Sequence, residues 1–219
     1  MPRTAVGPLH EIVIVGPQLE KNQQWREHSL GLVAEKTGKH PVDVMLDMAV
    51  EEDLRTEFFA SPPNGNLEYL KEIVDDPYVL FGVSDGGAHT KFLTAGRYPT
   101  ETIVKIVRDN GRISLEEAHW RLSALPAQFG GVLGRGTLIK GAPADIIVYD
   151  YENLEVLPDE IVHDMPADEW RRVQLASGYR YVLVNGEVTI QDDQQTDTFS
   201  GRLHRFGTGL PQDHFQAAE

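Results

Sequence analysis

The sequence predicts an α/β fold with parallel strands, and three observations carry that expectation. Two apolar runs, Glu11-Ile12-Val13-Ile14-Val15 and Tyr78 to Val83, are continuous rather than alternating, as in strands buried on both faces. Segments with helical apolar spacing lie between and after them, so the order reads strand, helix, strand, helix. After about residue 130 the character changes: Gly130, Gly131, Gly134, Gly136 and Gly141 punctuate the chain and short strands follow.

Taken in order, the first strand is ended by Gly16-Pro17. Ser29 to Lys36 reads as a helix stopped at Gly38. Pro41 opens the next helix, with Val42, Met45, Leu46 and Ala49 as its expected buried stripe. Thr56 to Phe59 reads as a short strand, closed by Ser61-Pro62-Pro63-Asn64-Gly65. Asn66 can cap a helix bearing Leu67, Leu70, Ile73 and Val74 and ending before Pro77. The strand Tyr78 to Val83 runs straight into Ser84-Asp85-Gly86-Gly87-Ala88-His89. Two helices follow, Glu101 to Asp109 stopped by Asn110-Gly111, and Ser114 to Leu125 stopped by Pro126. Ser114-Leu115-Glu116-Glu117 fits a capping box. Ala144 to Tyr149 is a strand, and Asn185-Gly186 between Tyr181–Val184 and Glu187–Ile190 marks a type I′ hairpin. Asp150 to Glu169 holds eight acidic residues and no Lys or Arg, which reads as a solvated connecting loop.

Composition narrows the function. The 219 residues suffice for one large domain or two small ones. Acidic side chains number 34 against 20 basic ones, a formal charge of −14, which disfavours phosphate backbones and anionic membranes. No nucleic-acid or membrane partner is therefore expected. The absence of cysteine excludes a disulfide scaffold, a thiolate zinc site and a cysteine nucleophile. The apolar runs are far short of the ~20 residues of a membrane helix, and the amino terminus lacks the apolar stretch of a secretory signal. A cytoplasmic location is the expectation.

Several sites of chemistry are weak on spacing. The eight histidines form neither HxH nor HExxH. Glu116 and His119 sit at i, i+3, which is half of a carboxylate-bridged diiron pattern, but the required second copy is missing. The glycines from Gly131 to Gly136 do not fit a phosphate-cradling loop and suit turns. No GxSxG elbow occurs. The stretch from Ser84 to His89 is the informative one. An acid-bearing loop directly after a buried strand is where α/β enzymes place chemistry, and Gly86 and Gly87 allow a ligand to approach Asp85 closely. The alternative is that Asp85 caps the next segment and His89 packs as an ordinary polar residue.

SDGGAH after YVLFGV, then RYPTETIVKIVRDNGRISLEEAHWRLSALPAQFG, GRGTLIKGAPADIIVYD and YVLVNGEV, resembles the amidohydrolase superfamily. The nearest branch is the N-acyl-D-amino-acid deacylase (D-aminoacylase) group. The resemblance runs from about Asn66 to Arg202; SDGGAH and RDNGRISLEEA point to the branch. It implies a (β/α)₈ TIM-type barrel with one or two metal ions, usually zinc, and a small β-sandwich. It further implies that Asp85 binds metal or acts as general base. Zinc lowers the pKa of its bound water towards ~7, and a nearby carboxylate carries that proton to the leaving nitrogen.

The chain departs from that pattern in extent. Only 84 residues precede Asp85, whereas seven βα units would need about 200, and the family's HxH pair is missing. The expectation is a partial barrel over residues 1–130, a β-sandwich element over 131–205 and a frayed tail over 206–219. Zinc is expected in a full-length parent and not in this chain alone, which would need the missing strands, a second chain or self-association. Some relatives hold a substrate carboxylate with an Arg that falls near Thr94 here; Lys91 and Arg97 are the nearby cations. The expected substrate contacts are thus Gly86, Gly87, His89, Lys91 and Arg97, for a small N-acyl-D-amino acid. A cyclic amide, as in dihydroorotase-like and hydantoinase-like enzymes, and a non-catalytic remnant or assembly subunit are the alternatives.

Overall fold

The computed structural model describes residues 3–4, 7–60, 66–82, 84, 86–88, 90–92 and 94–207. The chain divides into two compact units, Met1–Asp75 and Asp76–Glu219.

In the first unit, β1 (Arg3–Thr4) pairs with β2 (Gly7–Pro8), and a 3-10 turn, Leu9–Glu11, leads to β3 (Val13–Gly16). Helices α1 (Glu20–Gln23), α2 (Leu30–Thr37) and α3 (Pro41–Glu51) follow, then β4 (Glu57–Phe59) and α4 (Leu67–Asp75). Gly38 stops α2 as expected, whereas Ser29, read as the first helical residue, is its N-cap. Ser29 accepts a hydrogen bond from the Leu32 N–H, and Gly38 closes the helix in the left-handed region. Asn66 likewise caps α4, accepting from the N–H groups of Glu68 and Tyr69. Ile12, Ile14, Leu30, Val33, Ala34, Val44 and Met48 form the core.

Two expectations are corrected here. The buried positions of α3 are Val44 and Met48, whereas Val42 and Leu46 are exposed. VDVMLDMAV carries apolar residues on more than one face, so periodicity alone could not choose which would turn inward. The first strand is also not parallel to its neighbour: β3 pairs with β4 antiparallel, because the helices between them return the chain running the opposite way.

The second unit opens on residues 76–82, which form no strand, with Tyr78 94% exposed. A strand needs a partner ladder for its backbone groups, and the described residues offer none there. Helix α5 (Tyr98–Glu101) continues into a π-helical stretch, Thr102–Asp109. Helix α6 (Leu115–His119) continues through a second π-helical stretch, Trp120–Ala124, into α7 (Leu125–Phe129). Pro126 therefore does not stop the helix. It sits in the first turn of α7, where a missing N–H costs little after the wider π turn. The capping box is half formed: Ser114 accepts from the Glu117 N–H, but the Glu117 carboxylate accepts from Arg121.

Strands β5 (Ile146–Tyr149), β6 (Glu155–Met165), β7 (Glu169–Ser177), β8 (Tyr179–Val184), β9 (Glu187–Gln191) and β10 (Gln194–Gln195) complete the unit. One sheet has the order β10-β9-β8-β5, and β6 with β7 makes a separate two-stranded arm; every pairing among the described residues is antiparallel. Asn185 and Gly186 both have positive φ, 52° and 87°, as a type I′ turn requires. The acidic run Asp150 to Glu169 is not a loop but mostly β6. Its missing cations come from the facing strand, where Arg171 forks onto Asp164 at 2.7 and 2.6 Å and Arg172 meets Asp159 at 2.8 Å. Gly136 marks a close approach rather than a ligand loop, since a Cβ there would lie 2.7 Å from the Ser123 carbonyl oxygen. Residues 208–219 of the expected tail lie outside the described residues, and the Gly207 N–H donates to the Gly131 carbonyl at 2.9 Å.

Candidate functional site

The acid-bearing segment belongs to the second unit and is anchored at both ends. At its start, buried Arg121 donates from Nε to Glu117 Oε1 (2.7 Å) and from Nη1 to the Asp76 carbonyl (3.3 Å). The same guanidinium lies 5.2 Å from the centroid of the Phe81 ring, a cation–π contact. Helix α6 and the π stretch after it thereby fix where residues 76–81 run. The Ser84 hydroxyl then accepts from the Gly86 N–H at 3.0 Å, and Gly87 has φ 92°, a conformation that a side chain would strain. Asp85 and His89 lie outside the described residues.

At the far end the segment is held by the β6–β7 arm. The Arg172 N–H donates to the Thr90 carbonyl at 2.8 Å, and Arg172 Nε to the Lys91 carbonyl at 3.2 Å. Lys91 pairs with Glu169 and sits 4.9 Å from the Trp170 ring centroid. Arg97 donates to Glu101 Oε2 (3.0 Å), Thr94 Oγ1 (3.3 Å) and Gln174 Oε1 (2.7 Å). Burial works against the Glu101 carboxylate, but hydrogen bonds from Lys105 and Arg97 outweigh it and hold its pKa below the usual range. Each of the two cations expected to meet substrate contacts β7, Lys91 through Glu169 and Arg97 through Gln174. Both carry anionic or amide partners, so a substrate carboxylate would share or exchange these.

Sequence reasoning did not find Glu169, Arg172 or Gln174, because β7 follows a run read as loop. The remaining polar groups serve the fold. His119 Nε2 lies 2.7 Å from the Tyr149 hydroxyl, and Thr100 Oγ1 lies 2.8 Å from the Tyr179 hydroxyl. Burial lowers the His119 pKa, with Glu116 opposing, and burial raises both tyrosines. His119 is therefore engaged with Tyr149. Among the described residues no three His, Asp or Glu side chains converge to hold a metal ion, so they do not fit a catalytic zinc, which takes three protein ligands. A polar cleft of about 420 Å³ is lined by Arg108, Asp150, Arg180 and Asp193, among others. Its groups are spent on the chain itself: Arg108 Nη1 donates to the Tyr151, Glu152 and Leu154 carbonyls, and Asp193 accepts from the Gly178 and Tyr179 N–H groups.

Set beside known proteins, residues 15–190 match the model of the amidohydrolase family. The chain belongs to the amidohydrolase family. An uncharacterised protein of Mycobacterium tuberculosis is 32% identical over 133 residues, 58% of this chain and 21% of that protein. The N-acyl-D-glutamate deacylase of Alcaligenes xylosoxydans xylosoxydans is 36% identical over 88 residues, 40% of this chain and 16% of the enzyme. A D-aminoacylase crystal structure aligns with a TM-score of 0.53 at 21% identity, over 85% of this chain and 36% of its own. Further D-aminoacylase structures include a complex with copper chloride and one concerned with a binuclear metal centre. This amidohydrolase chain spans about a fifth of the length of the curated relatives it matches. The likeness to the solved enzymes carries the fold; no helix among the described residues is long and apolar enough to cross a membrane.

Proposed function

We propose that this chain supplies the carboxyl-terminal part of an amidohydrolase that cleaves the amide bond of N-acyl-D-amino acids. The observation that supports this most is the family match, which runs through the Ser84–His89 loop, together with 36% identity to an N-acyl-D-glutamate deacylase. In this reading Asp85 is the acid–base group. It takes a proton from the attacking water and passes it to the leaving nitrogen, so one carboxylate serves both halves of the hydrolysis. Gly86 and Gly87 let the substrate backbone approach, His89 contributes a polar contact, and Lys91 and Arg97 meet the substrate carboxylate. A bound metal, zinc in the full-length enzyme, would supply Lewis-acid activation. Its ligands belong mainly to parts of the barrel other than the residues described above.

The test is a substrate panel on the intact enzyme. N-acetyl-D-glutamate and other N-acetyl-D-amino acids are expected to be hydrolysed and their L enantiomers left intact. Turnover of dihydroorotate or a hydantoin, with none of the N-acyl-D-amino acids, would instead assign a cyclic amidase.

A further inference from the structure

The β6–β7 arm does more than neutralise its own charges. Five contacts tie it to residues 90–97: the Arg172 N–H and Nε to the Thr90 and Lys91 carbonyls, Glu169 to Lys91, and Gln174 to Thr94 and Arg97. Gln174 is the hub. Its Oε1 accepts from Thr94 Oγ1 at 2.6 Å and from Arg97 Nη1 at 2.7 Å, while its Nε2 donates to the Leu157 carbonyl of β6 at 2.9 Å. One planar amide therefore couples the backbone of the arm to two side chains of the segment. Such an amide is oriented by its donor side, because Nε2 finds a carbonyl and Oε1 must then face the two donors. Arg97 is further fixed by Glu101 on α5, so its guanidinium is held from two directions.

We propose that Gln174 is a positioning residue: it braces the Thr90–Arg97 segment against the β6–β7 arm and sets where Arg97 presents its charge to a substrate carboxylate. The bracing follows from the contacts alone; its consequence for substrate rests on the function proposed above. The arrangement predicts a division of effects. A misplaced carboxylate-binding cation weakens ground state and transition state alike, so KM rises while kcat is retained. The brace itself is a matter of local order, visible in backbone exchange.

The experiment pairs two variants with two readouts. Gln174→Leu removes both faces of the amide, whereas Gln174→Glu keeps the acceptor for Thr94 and Arg97. Hydrogen exchange on the 219-residue chain is expected to speed by about tenfold in residues 90–97 of Gln174→Leu, the equivalent of one lost net hydrogen bond. Gln174→Glu should stay near the wild-type rate there. In the intact enzyme, Gln174→Leu should raise KM for N-acetyl-D-glutamate by about tenfold with kcat within about twofold. Unchanged exchange in Gln174→Leu overturns the brace. Faster exchange with an unchanged KM, or a loss confined to kcat, overturns the positioning role. A wild-type enzyme inert on every N-acyl-D-amino acid overturns the functional reading and the substrate role with it, while the exchange result still decides the brace.

Discussion

Glu52 is 1% exposed and holds its charge by hydrogen bonds: Oε1 accepts from the Leu19 N–H and Asn22 Nδ2, and Oε2 from the Gln18 N–H and Thr56 Oγ1. Burial alone would raise its pKa, but the four donors overcome that and lower it from 4.5 to about 2. Because the folded value lies below the unfolded one, the stabilisation is present above pH 4.5 and is lost as pH falls towards 2. Glu52→Gln turns an amide N–H₂ towards donors and is expected to cost roughly 1–3 kcal/mol at pH 6. The gap between wild type and variant should narrow at pH 3 in urea titrations; a gap independent of pH would contradict the assignment. His119 behaves in the opposite chemical sense with the same outcome. Its folded pKa is depressed below 6.5 by burial, so protonation disfavours the folded state as pH falls below that value. Its imidazole resonances should titrate with a midpoint under 6.5, and a midpoint at or above it would contradict the buried contact with Tyr149.

The β8–β9 hairpin shows how much a local signal can specify. Asn185-Gly186 predicts the turn type, and the Arg135 guanidinium then locks it by donating to Asn185 Oδ1 at 2.5 Å while pairing with Asp145. Gly186→Val forces a β-branched residue to φ 87° and should destabilise the unit by about 1–2 kcal/mol or more. An unchanged thermal midpoint would mean the turn relaxes to another type. Caps and turns such as Gly38, Asn66 and Asn185 were legible because each works through residues one to four positions away. The face of α3, the antiparallel β3–β4 pair and the β6–β7 arm were not, because each depends on a partner distant in sequence. Glu52 and Gln174 illustrate the same divide at the level of contacts. Their partners lie up to 34 and 80 residues away, so neither composition nor spacing could single them out. The SDGGAH pattern is local and can be read in the sequence; the strand that contacts residues 90–97 after it could not.

At the scale of the whole molecule, Tyr78, Leu80 and Phe92 lie exposed near the acid-bearing loop, in an acidic chain that carries other exposed aromatics as well. Apolar surface of that kind favours burial against a partner. Light scattering at tens of micromolar, roughly the range where exposed apolar edges associate, should find self-association; a stable monomer would count against it. Metal content gives a second check. With Asp85 as the one family-matched ligand, the purified 219-residue chain should hold no stoichiometric zinc, and one zinc per chain would place a full ligand set within it. The central claim is that Asp85 performs the proton transfers of amide hydrolysis. It is tested most directly by the turnover of N-acetyl-D-glutamate by the intact enzyme and by its Asp85→Asn variant, each confirmed folded by circular dichroism. The account predicts that kcat falls by about 10²–10⁴-fold in the variant, because an amide cannot accept the proton; an Asp85→Asn enzyme as active as the wild type would contradict it.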